Sequence, residues 1–356
     1  MSTLAAETPL AVMRDPQRDR RLVRWWLYLV ALMIVGIVVV GGTTRLTHSG
    51  LSITEWKPVH GVIPPLNDQE WQEEFAKYRQ IPEFQLRTDM TLADFKGIFW
   101  WEWAHRLIGR LIGAVVLLPL IFLWVTGRIE SVLKPRLVAI LLLIGLQGAV
   151  GWWMVASGLS IRTDVSQYRL ATHLTLGCLI LAYVLWTARG IAPAYTPASG
   201  ITRFGAGLII AIALVQIFLG GLVAGLDAGL TFNTWPLMDG TLVPSGLFAG
   251  DPWWRNAFEN VATVQFDHRL GGYTLFAVAL LYAFAASRTP QASGAQRLAF
   301  LVLLQATLGV LTLLNMVPLQ LALLHQLGAV IVLSYAVMHL RAMLPPLPVR
   351  VPFRGA

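Results

Sequence analysis

Four of the seven histidines in this 356-residue chain, His105, His173, His268 and His325, lie in or beside long apolar runs. A polar ring in hydrocarbon is costly, so intramembrane histidines are commonly functional. A lone one is equally well a hydrogen-bonded link between helices; four at related positions argue for more. Two helices that offer imidazoles at one depth can grip a metal from opposite sides, as the axial ligands of haem iron do. Zinc more often takes three or four ligands, commonly with thiolate or carboxylate, and the only cysteine is Cys178, inside an apolar stretch. Two haem-sized sites are expected, His105 with His173 and His268 with His325. Of the other histidines, His48 and His60 fall in a connector and His339 near the inner end of the last apolar run.

The residues around these histidines sharpen the expectation. Glu102 precedes His105 by three positions, and residues i and i+3 share a helix face. Glu102 is therefore expected beside whatever His105 contacts, as an acid–base or charge-stabilising group; the alternative is a salt bridge to Arg106. The equivalent position before His268 is the neutral Gln265. The second site then reads as the permanent cofactor site and the first as the substrate site. Arg106 and Arg269 follow the first histidine of each pair and could meet porphyrin carboxylates or snorkel to headgroups. Gly109, Gly113, Gly148, Gly151, Gly177, Gly272, Gly309 and Gly328 would let a flat ring approach backbone, or let helices pack closely.

The elements that carry these residues repeat. Gly41, Gly42, Gly50, Leu51, Trp56, Gly61 and Pro65 recur as Gly220, Gly221, Gly229, Leu230, Trp235, Gly240 and Pro244 at a constant offset of 179. His105-Arg106-Leu107 and Gly109 recur as His268-Arg269-Leu270 and Gly272; Leu146, Gln147 and Gly151 recur as Leu304, Gln305 and Gly309; His173 pairs with His325. An even number of spans per unit makes this a parallel repeat about an axis along the membrane normal.

The composition is that of a membrane protein: 56% hydrophobic and 13% charged residues, against about 25% charged in soluble domains, with mean hydropathy +0.63. Spans are predicted at 25–42, 98–126, 137–156, 170–187, 204–225, 261–286, 298–317 and 320–343, each near the length a bilayer needs. The expected fold class is an all-α integral membrane protein, eight transmembrane helices forming two pseudo-symmetric four-helix bundles. The chain divides into a basic tail (1–24), a first half (25–195) with an outer connector at 43–97, a second half (196–345) and a tail (346–356). The first span reads as a retained helix and not a signal peptide, because no small-residue cleavage site follows it. Lys and Arg concentrate in the tail up to Arg24, including Arg14, and after Arg341, at Arg350 and Arg354, which places both termini in the cytoplasm. That orientation explains the net charge of +8 without nucleic acid. An amphipathic helix is expected over Asn67–Tyr78, lying over the outer face.

The runs GLSITEWKPVHGVIPP, FWWEWAHRLIGRLIG, RLATH, FNTWPLMDG, FENVATVQFDHRL and ALLHQLGA resemble those of the haem A synthase family, from about Trp25 to His339. The resemblance implies oxidation of the C8 methyl of haem O to a formyl group, giving haem A for terminal oxidases. It implies haem b in the C-terminal half, held by His268 and His325 with Arg269, and haem O as substrate in the N-terminal half at Glu102, His105 and His173. It further implies the bacterial inner membrane, with a haem O synthase, an electron donor and a homo-oligomer as partners. Some members carry cysteines in the outer connectors; this chain has none there, so no thiol role is expected. A dihaem b-type electron-transfer cytochrome and a transporter are the competing readings. All four histidines at outer helix ends, together with Glu102, disfavour the first; the lack of paired broken helices disfavours the second.

Overall fold

Residues 15–57 and 60–348, apart from the side chain of His60, are described by the computed structural model. Arg14, Arg350 and Arg354 of the basic tails lie outside the described residues. The helices in chain order are α1 (Pro16–Leu46), α2 (Asp68–Tyr78), α3 (Leu92–Val125), α4 (Lys134–Val155), α5 (Gln167–Ile191), α6 (Gly200–Gly225), α7 (Asn256–Glu259), α8 (Val261–Ala285), α9 (Ala292–Leu314) and α10 (Leu319–Arg341). The fold is an all-α integral membrane bundle. Seven of the eight expected spans, α1, α3, α4, α5, α6, α9 and α10, are long and apolar enough to cross a bilayer. The remaining one, α8, has 25 residues, the length a crossing needs. Its first turns carry Gln265, Asp267, His268 and Arg269, which lower its hydropathy.

Capping chemistry explains why several helices outrun the predicted spans. Asp15 accepts from the Gln17 amide and starts α1 nine residues before the apolar run. Thr91 and Asp94 form a reciprocal capping box at the start of α3, satisfying amides that have no partner within the helix. Asn260 accepts from the Ala262 and Thr263 amides and separates α7 from α8. The predicted span 298–317 ends early, at Leu314, because Met316 and Val317 adopt left-handed backbone, a stop that an apolar sequence does not announce.

Helices α1, α3, α4 and α5 pack as one ring, and α6, α8, α9 and α10 as a second. The rings meet through α5 against α6, α5 against α10 and α1 against α10. The α5–α6 crossing is close because Gly221 and Gly225 of α6 lie on backbone atoms of Ala171 and Gln167, the small-residue spacing that lets membrane helices approach. The main apolar core runs through Val23–Ile34 of α1, Ile112–Leu123 of α3, Cys178–Ile191 of α5, Ile209–Ile217 of α6, Leu275–Ala286 of α8 and Val330–Val337 of α10. All of these stretches but that of α6, which is central, lie in the helix half away from His105, His173, His268 and His325. The histidines thus occupy the less tightly filled end of the bundle.

That end is roofed by the connector between α1 and α3. The amphipathic helix expected there is α2, with Asn67 as its N-cap and Trp71, Phe75 and Tyr78 buried. Their rings pack on Phe95 and Phe99 at the start of α3, making a small apolar core of its own.

Candidate functional site

Each of the four histidines sits within the first half of its helix: His105 in α3, His173 in α5, His268 in α8 and His325 in α10. Each imidazole lies on a glycine of the preceding long helix. A methyl added to Gly41 of α1 would come 3.1 Å from His105 Nε2; one on Gly151 of α4 would come 2.9 Å from His173 Cε1. In the second half, Gly220 of α6 stands against His268 (3.2 Å) and Gly309 of α9 against His325 (2.7 Å). The pairs Gly41/Gly220 and Gly151/Gly309 are the repeat-related ones, so the sequence repeat is also a repeat of ring placement. Of the glycines expected to admit a flat ring, Gly113 and Gly148 border open space, while Gly151 and Gly309 bear on imidazoles.

The His268 and His325 ring centres are 6.3 Å apart, with planes at 86°. Two imidazoles binding one metal from opposite sides, each nitrogen about 2 Å from it, hold their ring centres about 6 Å apart. The pair therefore fits a bis-histidine haem. His105 and His173 lie within electrostatic range of each other. Among the described residues no three His, Cys, Asp or Glu side chains converge on a metal position.

Glu102 is 2% exposed and fully engaged. Its Oε1 accepts from Arg106 Nη2 at 2.6 Å and Nε at 3.0 Å, and its Oε2 accepts from Ser52 Oγ at 2.7 Å and the Ile53 amide at 2.8 Å. The salt bridge to Arg106 expected as the alternative is present, and the carboxylate stands one turn from His105. Arg106 also donates to the carbonyls of Ile53 and Glu55. The second half builds the same clasp without the charge. Gln265 Nε2 donates to the carbonyls of Ala228 and Thr231, its Oε1 accepts from Arg269 Nη2 at 3.2 Å, and Arg269 holds the Phe232 carbonyl at 2.6 Å. The repeated connectors are thereby tied down over the histidine-bearing ends of α3 and α8. Arg269 Nε is buried without a partner, a donor left over for an anionic group.

Three glutamines join the histidines. Gln147, Gln216 and Gln305 donate to the main-chain carbonyls of His173, His268 and His325 at 2.9, 2.8 and 2.7 Å. The Oε1 of all three is buried and unpartnered. The sequence carried a signal for them, since each stands four residues before the glycine its histidine touches.

Residues 24–337 match the COX15-CtaA family, described as cytochrome oxidase assembly protein. The chain belongs to that family. The matched stretch contains Glu102 and all four histidines, as well as the three glutamines. Curated relatives of this COX15-CtaA chain are named Heme A synthase. That of Chelativorans sp. (strain BNC1) is 59% identical over 346 residues, covering 95% of this chain and 96% of the relative. That of Mesorhizobium japonicum is 57% identical over 347 residues, covering 96% of each. That of Brucella anthropi is 58% identical over 332 residues, covering 91% of this chain and 93% of the relative.

Proposed function

We propose that this chain is a haem A synthase that oxidises the C8 methyl of haem O to a formyl group. The change from methyl to formyl is a four-electron oxidation that takes up one oxygen atom and passes a hydroxymethyl stage; the electron acceptor and the oxygen donor are co-reactants from outside the chain. The observation that carries the reading is the pair of matched histidine sites that differ in charge, with Glu102 at one and Gln265 at the other. Haem O occupies the N-terminal site, between His105 and His173. Haem b, held by His268 and His325, is the resident group of the C-terminal half and supplies one-electron chemistry when bound. Arg269, through its free Nε, meets a porphyrin carboxylate there.

At the substrate site Glu102 can take up a proton released from the methyl carbon or stabilise positive charge developing on it. Arg106 and Ser52 hold the carboxylate in place. All eight long helices cross the membrane, α8 included, with both termini in the cytoplasm of a bacterial inner membrane. With the N-terminus inside and every long helix crossing, α3, α5, α8 and α10 all enter from outside and both sites lie near the outer surface. A wire-like cytochrome would place its haems at both faces.

Haem extraction tests the assignment. The wild type, purified from cells supplying haem O, should yield haem b together with haem O or haem A. His268→Ala or His325→Ala should lose haem b selectively. Full retention of haem b in both variants would overturn the C-terminal assignment, and two haems of the same unmodified type in the wild type would favour the cytochrome.

A further inference from the structure

The four histidine–glycine contacts look alike until the residue one turn earlier is read. Gln147 precedes Gly151, Gln216 precedes Gly220 and Gln305 precedes Gly309, each by four positions and so on the same helix face. Four positions before Gly41 stands Ile37. The contacts confirm the equivalence. A methyl on Gly272 would meet Gln216 Nε2 at 3.6 Å, and one on its repeat mate Gly109 would meet Ile37 Cδ1 at 3.5 Å. Three histidines therefore have an amide brace, and Ile37 stands at the repeat-equivalent place in the fourth, beside Gly109 one turn from His105.

The braces reach the rings as well as the backbone. Gln216 Nε2 is 3.1 Å from His268 Nδ1, and Gln305 Nε2 is 3.0 Å from His325 Nδ1. Gln147 Nε2 is 3.5 Å from His173 Nε2. Each glutamine thus holds the main-chain carbonyl of its histidine through the same Nε2 that lies against the ring, and a partner that orients a metal-binding histidine strengthens its hold on the metal. Isoleucine makes no such bond.

We propose that the glutamines are positioning residues that set how firmly each haem is kept. Gln216 and Gln305 brace both axial imidazoles of the C-terminal haem, which is retained. Only His173 of the N-terminal pair is braced, by Gln147, so His105 is the ligand that lets go and the N-terminal haem exchanges. The inference rests on the reading that each histidine pair holds a haem, and it assigns the difference between cofactor and substrate site to Ile37.

The test is haem transfer from the purified full chain in detergent to excess apomyoglobin, followed by absorbance, with extracted haems identified. The wild type should release haem in a fast phase containing haem O or haem A and a slow phase containing haem b. Ile37→Gln should slow the fast phase about 10- to 100-fold, the usual scale for a partner of a metal-bound histidine. Gln216→Met and Gln305→Met, which keep side-chain volume, should each accelerate the slow phase by a similar factor and alter the low-spin electron paramagnetic resonance signal of haem b. Ile37→Met, which adds no amide, should leave both phases unchanged. An unchanged fast phase in folded Ile37→Gln would overturn the proposal; should that variant not fold, an unchanged slow phase in both methionine variants would do the same. Failure of the underlying reading looks different: His268→Ala would then leave the slow phase of the otherwise unaltered chain intact.

Discussion

At the scale of single residues, the site is a set of small differences between two copies of one arrangement. Glu102 and Gln265 hold equivalent loops, yet only Glu102 adds a charge. In Glu102→Gln the amide nitrogen would face either the Ile53 N–H or Arg106, both donors, so one buried bond is lost at about 1–3 kcal/mol. We expect turnover to fall about 10²–10⁴-fold, measured as haem A formed per bound haem b, with haem O or its hydroxymethyl form accumulating. Ser52→Ala removes one bond of the same clasp and leaves the carboxylate; it should stay within about tenfold of wild type. Equal losses in the two variants would reduce Glu102 to a clasp. Gly309→Ala is expected to push the His325 ring aside, because the added methyl meets Cε1 at 2.7 Å and a ring at the end of a side chain can yield. Haem b content should drop while the melting temperature stays near that of the wild type. The histidines and Glu102 were legible from repeat and i+3 spacing. Ser52 and Ile53 were not, since they approach Glu102 across some fifty positions. The glutamines were half legible: Gln147 and Gln305 match as identical residues, but Gln216 is matched by Ile37, and a search for identities passes over the informative difference.

At the scale of elements, the spans were readable from hydropathy and their ends were not, because caps such as Asp15 and the Thr91–Asp94 box lie outside the apolar runs. The α2 roof was readable from the spacing of Trp71, Phe75 and Tyr78; a buried acid beneath it was not. Glu83, in the turn after α2, is 5% exposed and its Oε2 has no hydrogen-bond partner. Burial raises its pKa to about 7 from 4.5, with Asp164 and Glu102 adding to the effect and Arg87 and Tyr78 opposing it. The folded roof therefore holds a proton that the unfolded chain has already lost between those two values. Stability declines as pH rises through that window and levels off above it, by up to about 3 kcal/mol. Limited proteolysis of the connector between pH 5 and pH 8 should show faster cleavage at the upper end, and Glu83→Gln should flatten the profile. A rate that rises equally with pH in that variant would place the effect elsewhere.

At the scale of the whole molecule, two rings of four helices pack against each other, and their joint is less symmetric than their interiors. Gly221 bears on backbone atoms of Ala171, whereas its repeat mate Gly42 bears on the side chain of Gln326. Gly221→Val should therefore destabilise the protein by about 1–3 kcal/mol or more, since backbone cannot step aside. Gly42→Ala should cost less; melting temperatures in detergent compare the two, and equal losses would contradict the account. Two related four-helix rings in contact have the layout of a homodimer written in one chain. In a dimer of identical subunits every substitution occurs twice, so a glutamine exchanged for isoleucine would loosen both sites and a carboxylate would charge both. A single chain, joined through the connector between α5 and α6, escapes that coupling: its two copies differ at Ile37 against Gln216 and at Glu102 against Gln265, a difference closed to any homodimer.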